Sequence, residues 1–319
     1  MPPIAPRPLI IDCDPGQDDA VALLLAMASP EEFNLLGVTA VAGNVPLNLT
    51  EANARRIGEL AGRLDVPVYA GCPRPMVNEP VTAEFIHGET GINGADLPAP
   101  IRAIEPRHAV EWLIATLRQA DEPITLATLG PVTNIGTALV MAPDIADNIR
   151  EIVSMGGASD LGNVTAAAEF NYYVDPHAAH VMFSAGIKLT MIGLNLTHQA
   201  LATPQRINTI RDVDTPAARS VVGMLEFYSA QNISNYEHVG APLHDPCVIA
   251  YLMRPEMFEV QDMRVDIEIS SPLTMGRSVC DIHGRSGLSP NATVVTKIDS
   301  DQFFDLIAAR LARLPMKMD

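Results

Sequence analysis

Short apolar runs alternate with segments of helical periodicity through the first two-thirds of the chain. The runs at 9–11, 35–41, 124–129, 152–155 and 189–192 have the length and composition of buried strands. Helical patterns lie between or after them at 20–26, 49–64, 108–120, 176–183 and 216–228. Strands that alternate with helices in this way are typical of an α/β fold with a mostly parallel, doubly wound sheet.

The last part of the chain continues the same pattern without a break. Strand patterns at 264–269 and 293–298 precede a closing helix at 302–314, which Pro315 should end. No repeat, low-complexity tract or linker divides the chain, so we expect a single large domain, 1–319, with a Rossmann-like core. Two segments, near 72–100 and 225–243, are predicted to be lids, the second through a long loop at 232–243.

Composition restricts the partners of the chain. It has 319 residues, of which 48% are hydrophobic and 18% charged, and its net charge is −17 at pH 7. An acidic chain with no basic run is a poor ligand for nucleic acid or an anionic membrane. No apolar segment has the length of a signal peptide core or a membrane span, so we expect a cytoplasmic protein. Its four scattered cysteines are expected to be free thiols.

The strongest chemical signal is a group of aspartates at 12, 14, 18 and 19, where the first apolar run meets the first helical pattern. Asp12 and Asp14 are expected to face the same way, while Asp18 and Asp19 lie in the first helical turn. One of them could cap the helix, but several like charges beside a buried strand need compensation. A hard divalent cation at the carboxyl end of the strand would provide it.

Further polar groups follow later in the chain. Asn163, Glu169 and Asn171 lie within nine residues, and their amide and carboxylate groups suit the hydroxyls of a polyol. Asp175 and Asp245 each precede a proline, the pattern of a helix N-cap with Pro at the first helical position. We interpret Asp175 as a cap and nothing more, whereas spacing alone leaves the role of Asp245 open.

Six motifs, taken together, resemble those of the inosine-uridine preferring nucleoside hydrolases. They are DCDPGQDDA at 12–20, VAGN at 41–44, IHGE at 86–89, MGG at 155–157, AEFN at 168–171 and HDPC at 244–247. They run in order from the first strand to the last third of the chain. The resemblance implies a nucleoside N-ribohydrolase with Ca²⁺ bound at the carboxyl ends of the strands, acting on ribonucleosides.

The resemblance also implies roles for individual residues. It makes Asp14, Asp19 and Asp245 metal ligands, and Asp18 a contact of both the metal and the ribose. A further ligand is the backbone carbonyl of Leu129, where the family usually has threonine; because a carbonyl binds, the different side chain should matter little. The positions that match ribose-binding or base-contacting residues are Asn44, Asn163, Glu169 and Asn171 for the ribose, and His87 and His244 for the base.

Glycoside cleavage passes through an oxocarbenium-like transition state, which suggests a catalytic role for several of these residues. Asp14 is expected to be the base for the attacking water, because Ca²⁺ acidifies water less than Zn²⁺ does. His244 is the expected acid for a purine leaving group, because its unperturbed pKa of about 6.5 suits proton donation at neutral pH. Tyr236 resembles a base-contacting tyrosine of pyrimidine-preferring members. Pyrimidine nucleosides are therefore slightly favoured, with broad inosine-uridine specificity as the alternative.

Two other classes stay open at this point. A phosphatase of the haloacid dehalogenase type also has Asp-x-Asp at a strand end, although its turn normally differs from 15–19 here. A silent nucleoside-binding protein on the same scaffold would keep every matched position. The resemblance further implies a homotetramer, with a dimer possible, and the low charged fraction is compatible with buried surface between subunits.

Overall fold

The strands of the protein are short and mostly buried in the computed structural model, which describes residues 5–236 and 240–316, with only the backbone at 232–236. The strands are β1 (Arg7–Cys13), β2 (Phe33–Ala40), β3 (Val68–Ala70), β4 (Ile124–Thr128), β5 (Ile149–Met155), β6 (Leu189–Ile192), β7 (Leu201–Ala202), β8 (Ala241–Pro242), β9 (Phe258–Ile267), β10 (Ser278–Asp281) and β11 (Ala292–Ile298). The helices are α1 (Gln17–Met27), α2 (Leu47–Leu60), α3 (Glu84–His87), α4 (Ala109–Arg118), α5 (Thr133–Met141), α6 (Phe170–Val174), α7 (Pro176–Ser184), α8 (Leu194–Thr197), α9 (Pro204–Arg211), α10 (Pro216–Tyr236), α11 (Pro246–Met253) and α12 (Ser300–Leu311).

A central sheet organises these elements. Within the described residues it has nine strands in the order β10-β9-β11-β6-β5-β4-β1-β2-β3, and β7 pairs with β8 apart from it. The strands from β11 to β3 are parallel, while β9 and β10 are antiparallel additions at one edge. The strand order reverses between β1 and β4, so their carboxyl ends flank the point where open α/β sheets bind ligands. This confirms the predicted mostly parallel α/β sheet.

Apolar side chains cover both faces of the sheet. Leu9 and Ile11 of β1 join one buried cluster with α1, α10, α11 and α12, and Ile10 joins a second with α4, α5 and α7. Successive residues of a strand point to opposite faces, which explains why this apolar run serves both clusters. Helices on both faces confirm the doubly wound arrangement. Among the described residues, no helix has both the length and the apolar character needed to cross a membrane.

Helix α10 is longer than the sequence pattern predicted. The pattern indicated an end at 228 and a loop from 232, but the helix continues to Tyr236. Neither glycine nor proline occurs between Met224 and Tyr236, so no residue of the usual kind stops it there. The loop prediction is therefore wrong for 232–236, and 237–239 lie outside the described residues. The other proposed lid, 72–100, consists mainly of loop with α3 near its middle; whether either segment acts as a lid stays a prediction.

Candidate active site

The turn between β1 and α1 brings the first aspartates together. Asp18 and Asp19 lie in the first turn of α1, as predicted from the sequence. Asp19 Oδ1 accepts a hydrogen bond from the backbone N–H of Asp14 at 3.2 Å, and its Oδ2 accepts one from Gly16 at 2.9 Å. The Asp19 side chain therefore fixes the backbone of the turn that precedes α1.

Three buried carboxylates form a compact cluster. Asp18, Asp19 and Asp245 each place one oxygen within 4.8 Å of the others. Burial raises the pKa of Asp18 to about 7, with the charge of Asp19 adding to the shift, and burial also raises the pKa of Asp245 and of Asp19. Within the described residues, no ion pair involves any of the three. Their charges are therefore not balanced by protein cations at contact distance.

One oxygen of this cluster points to a ligand. Asp18 Oδ1 is buried and has no hydrogen-bond partner among the described residues. A buried carboxylate oxygen without a partner is costly unless another group satisfies it. An all-oxygen set of carboxylates is the donor set that hard divalent cations prefer. The residues therefore fit a hard divalent metal ion.

Asp245 and Asp175 differ although each begins a helix in front of a proline. Asp175 caps α7, because its carboxylate accepts the N–H of Ala178 at 3.0 Å. It also accepts from Thr133 Oγ1 at 2.7 Å and from the N–H of Met76 at 2.9 Å. The interpretation of Asp175 as a cap and nothing more is therefore wrong. Asp245 makes no side-chain capping bond to α11, and its carboxylate lies in the cluster instead.

Asp14 lies next to the cluster in a closely packed position. Its Oδ2 accepts the backbone N–H of Asn44 at 2.7 Å, and Asn44 Nδ2 donates to the Asp14 carbonyl at 3.1 Å and to Asp19 Oδ2 at 3.2 Å. A Cβ atom added at Gly43 or Gly130 would lie 2.1 or 2.2 Å from an Asp14 oxygen. Burial, together with the charge of Asp19, raises the pKa of Asp14 well above its usual range, and the Asn44 N–H opposes this.

Asp12 takes no part in the cluster. Its Oδ1 accepts hydrogen bonds from Thr39 Oγ1 on β2 and from Asn134 Nδ2 on α5, the latter at 2.7 Å. Burial raises the pKa of Asp12 to about 7. Because Asp12 still belongs to β1, its side chain ties this strand to its surroundings, whereas Asp14 follows the end of the strand. Asp12 Oδ2 is also buried without a hydrogen-bond partner among the described residues, but Asp12 is not one of the three clustered carboxylates.

A cavity opens beside the cluster, with about 740 Å³ of empty space when open solvent is included. Most of the predicted site residues line it: Asp18, Asn44, His87, Leu129, Asn163, Glu169, Asn171, His244 and Asp245. Asp14 and Asp19 lie behind this wall, in contact with Asn44. Tyr236 is the last residue of α10, and its side chain lies outside the described residues. The placement agrees with the predicted site, while the role of each residue stays a prediction.

Hydrogen bonds hold the polar wall of the cavity in place. Glu169 caps α6, where its Oε1 accepts the N–H of Asn171 at 2.9 Å and its Oε2 accepts that of Gly157 at 2.8 Å. Burial raises the pKa of Glu169 to about 7 against the opposing effect of these N–H groups. Asn171 Nδ2 donates to the Leu129 carbonyl at 2.7 Å, and Asn163 Oδ1 accepts a backbone N–H at 2.9 Å. The Leu129 carbonyl keeps a second lone pair for another partner.

His244 also lines the cavity and directly precedes Asp245 in the sequence. Its Nδ1 lies 2.7 Å from Thr197 Oγ1, and its ring centroid is 5.9 Å from that of His198. Burial lowers the pKa of His244 well below its usual range, and the nearby His198 adds to the shift. The expectation of an ordinary pKa for His244 is therefore wrong, because the lone histidine of the sequence sits in a cavity beside a second histidine.

An aromatic and apolar wall completes the cavity. Its members, most of them not predicted from the sequence, are Ala83, Phe85, Ile86, Met155, Val164, Phe170, His198, Tyr228 and Pro242. Tyr228 stacks on His87 with ring centroids 5.4 Å apart. Ile86, Met155 and Phe170 belong to the quoted motifs. For Tyr228 and His198 the sequence signals were indirect, since Tyr228 ends a predicted helix and His198 follows a predicted strand. Side chains from such distant parts of the chain meet only through the fold.

Comparisons with known proteins agree with this geometry. The profile of the family described as inosine-uridine preferring nucleoside hydrolase matches residues 9–305. A protein of Shewanella sp. (strain MR-7) named pyrimidine-specific ribonucleoside hydrolase RihA is 46% identical over 307 residues, which cover 96% of each chain. An uncharacterized protein of Schizosaccharomyces pombe is 46% identical over 310 residues, covering 96% of this chain and 99% of its own.

Solved structures show the same fold. A purine-preferring ribonucleoside hydrolase from Gardnerella vaginalis superposes with a TM-score of 0.88 at 33% identity, covering 95% of this chain and 98% of its own. A plant nucleoside hydrolase superposes with a TM-score of 0.89 at 29% identity, covering 96% and 99%. The similarity therefore extends over nearly the whole chain.

Proposed function

Since the chain belongs to the inosine-uridine preferring nucleoside hydrolases, we propose that it is a Ca²⁺-dependent ribonucleoside hydrolase that favours pyrimidine nucleosides. The observation that carries the proposal is the unpartnered Asp18 oxygen in a buried carboxylate cluster, at the edge of a cavity lined by polar and aromatic side chains. The products are ribose and the free base.

The pyrimidine preference is supported by the relatives named pyrimidine-specific, which are 41% to 46% identical to this chain. The alternative is broad inosine-uridine specificity, favoured by the structural likeness to a hydrolase named purine-preferring at 33% identity. Both readings use the same ribose end of the cavity and differ only in how the base is held.

The family is metal-dependent, and the donor set of this chain suits Ca²⁺. The residues that would hold the ion are Asp14, Asp18, Asp19, Asp245 and the Leu129 carbonyl. When bound, Ca²⁺ would polarise a water molecule and orient the ribose 2′- and 3′-hydroxyls. Three of these carboxylates, at the starts of α1 and α11, each place one oxygen within 4.8 Å of the others.

The chain's own groups would perform the remaining steps. Asp14 accepts a proton from the attacking water, since its carboxylate adjoins the cluster and is oriented by the Asn44 N–H. The ribose lies against Asn44, Asn163, Glu169 and Asn171. The anchored carboxylate of Glu169 stabilises the positive charge that develops on the sugar ring.

His244 would assist the departing base. It lines the cavity beside Asp245, and Thr197 orients its ring from the side of Nδ1. A neutral imidazole can still act by directing an N–H at the leaving group. Tyr236 is proposed as a further base contact from the end of α10.

Base release from a panel of nucleosides tests the proposal. Calcium-replete protein is incubated with uridine, cytidine, inosine and adenosine, and free ribose and free base are quantified, with 2′-deoxyuridine as the control for recognition of the 2′-hydroxyl. Release from the two pyrimidine ribonucleosides alone supports the pyrimidine preference, and comparable release from inosine supports the broad alternative. Binding without release from any of them would refute hydrolysis and indicate a silent binding protein.

We also propose that the chain forms a homotetramer, with a homodimer as the alternative. Large apolar side chains are exposed on the single chain, including Ile101 and Leu273, both 84% exposed. Light scattering coupled to gel filtration would measure the mass, and a monomer at micromolar concentration would contradict the proposal. The cytoplasmic location stays a prediction.

A further inference from the structure

A buried glutamine holds one of the cavity histidines. Gln17 is the first residue of α1 and is fully buried. Its Nε2 donates to the carbonyl of His87 at 2.9 Å and to that of Asn93 at 3.2 Å. Its Oε1 lies 2.7 Å from Nδ1 of the His87 ring. One side chain thus connects the start of α1 to both the backbone and the ring of His87.

These contacts fix the orientation of the Gln17 amide. Only the NH₂ group can donate to two carbonyl oxygens, so the oxygen must be the atom that faces the histidine ring. An amide oxygen accepts hydrogen bonds and cannot donate them. The short contact between Oε1 and Nδ1 therefore requires the proton on Nδ1 of His87.

The other nitrogen of the ring is left for a ligand. Burial lowers the pKa of His87 to about 3, which keeps the ring neutral near neutral pH and leaves Nε2 unprotonated. No group of the described residues forms a hydrogen bond with Nε2, and His87 lines the cavity. Nε2 therefore offers a lone pair to whatever the cavity holds.

The ring has little freedom to turn away. It stacks on Tyr228 with an interplanar angle of 25°. On the side of α1, a Cβ atom added at Gly16 would lie 2.5 Å from Nδ1 and 2.8 Å from Cε1 of His87, so the backbone closely borders the ring. Gln17, Tyr228 and Gly16 together define where the lone pair lies.

We propose that Gln17 is a positioning residue that holds His87 as the Nδ1–H tautomer, so that His87 Nε2 accepts a hydrogen bond from the substrate. The inference rests on the proposed function. The substrate group must be a donor, either an N–H of the base or a hydroxyl of the ribose. A substrate that places only an acceptor there would leave two lone pairs facing each other and would be rejected.

Nuclear magnetic resonance tests the tautomer directly. Two-bond ¹H–¹⁵N correlation spectra of protein labelled at histidine distinguish a protonated from an unprotonated ring nitrogen, and His87→Phe identifies the His87 signals. The expected result is a protonated Nδ1 and an unprotonated Nε2. A protonated Nε2 with a bare Nδ1 would overturn the proposal. This measurement uses the wild-type protein, so it is decisive even if a Gln17 variant fails to fold.

Kinetics test the consequence for the substrate. Gln17→Met keeps the length of the side chain but removes its polar atoms, and we expect kcat/KM for uridine to fall about tenfold, as for the loss of one oriented hydrogen bond. The double variant with His87→Phe should then be no slower than His87→Phe alone, within about threefold. Additive losses would show that Gln17 acts independently of His87 and would refute the proposal.

Substrate analogues identify the donor. 3-Methyluridine lacks the N–H of the base, and 5′-deoxyuridine lacks the ribose 5′-hydroxyl. We expect Gln17→Met to cause no further loss on the analogue that lacks the recognised donor, while equal losses on uridine and both analogues would contradict the proposal. The matched control is Gln199→Met, because Gln199 also donates to two backbone carbonyls, at 2.8 and 2.9 Å, and should keep the wild-type preference. If the wild-type protein cleaves no riboside, the proposed function is refuted. The NMR spectrum then still decides whether His87 is the Nδ1–H tautomer.

Discussion

Replacement of Gly43 by alanine should disable the site through a single methyl group. Gly43 precedes Asn44, whose N–H holds Asp14 Oδ2 at 2.7 Å. The new Cβ would lie 2.1 Å from that oxygen and 2.7 Å from Cδ of Pro131. Gly130 borders the other oxygen so closely that a Cβ there would lie 2.2 Å away. The carboxylate of Asp14 is therefore packed between two glycines.

The size of the effect follows from the displacement. Real Cβ atoms essentially never approach another heavy atom closer than 3.0 Å, so the Asp14 oxygen must move by about 1 Å or the Gly43 backbone must shift. A misplacement of about 1 Å in a catalytic group can cost about 100-fold in rate, or about 2.7 kcal/mol of barrier. We therefore expect kcat/KM to fall about 100-fold on every ribonucleoside.

Base release under steady-state conditions measures this effect, with circular dichroism to verify the fold. The matched control is Gly58→Ala in α2, where the nearest atoms to the new Cβ lie 3.8 Å away. This control should keep full activity and gain about 0.5–1 kcal/mol of stability, because alanine favours a helix over glycine. If Gly43→Ala keeps kcat/KM within about threefold of wild type, the position of the Asp14 carboxylate does not limit the reaction and the reasoning is wrong.

Further predictions concern the base, the acid, the metal and the fold. Asp14→Asn should abolish base release from every nucleoside without unfolding the protein; activity retained within about tenfold would exclude Asp14 as the base. His244→Ala should slow inosine hydrolysis far more than that of p-nitrophenyl riboside, whose leaving group needs no proton, and equal losses would contradict a role of His244 in assisting the departing base. Removal of Ca²⁺ with a chelator should lower the melting temperature, since an ion at about 100 times its Kd stabilises by about 2.7 kcal/mol; an unchanged value would argue against a bound ion. Asp175→Ala should cost about 3 kcal/mol in urea unfolding because it leaves the donors on Thr133, Met76 and Ala178 without their acceptor, and a loss below about 1 kcal/mol would contradict this.

The alternation of apolar and polar residues predicted the parallel core of the fold well. β6 has the predicted bounds, and β1, β2, β4 and β5 differ from the prediction by one to three residues at their ends. β9 was predicted from 264, but it begins at Phe258. Its residues from Glu259 to Asp262 are exposed and pair with β11 through backbone groups. Because these residues are exposed and pair through their backbone, no apolar pattern in the sequence marks the start of β9. The edge strand β10 lacks such a pattern for the same reason.

The candidate site could be predicted only where neighbours in sequence are also neighbours in space. The turn after β1 fixed the places of Asp18 and Asp19, and the convergence of strand ends explains why distant amides reach the same cavity. The contact between Gln17 and His87 joins residues 70 positions apart, and no spacing rule reveals it. Asp12 shows the opposite limit. It lies two residues from Asp14 in the sequence, yet its Oδ1 bonds to Thr39 and Asn134 and it is not one of the three clustered carboxylates.

The contrast between Asp175 and Asp245 is the clearest argument that the cluster exists to bind a cation. Both residues precede a proline at the start of a helix, where a capping bond stabilises the helix by about 1 kcal/mol. Asp175 makes that bond, whereas Asp245 does not and lies among Asp18 and Asp19 instead. Burial and like charges disfavour its ionised form there. Asp245 thus makes no capping bond and instead adds a third carboxylate to a buried cluster in which Asp18 Oδ1 has no partner among the described residues. Such an arrangement lowers the stability of the protein unless a cation binds between the carboxylates.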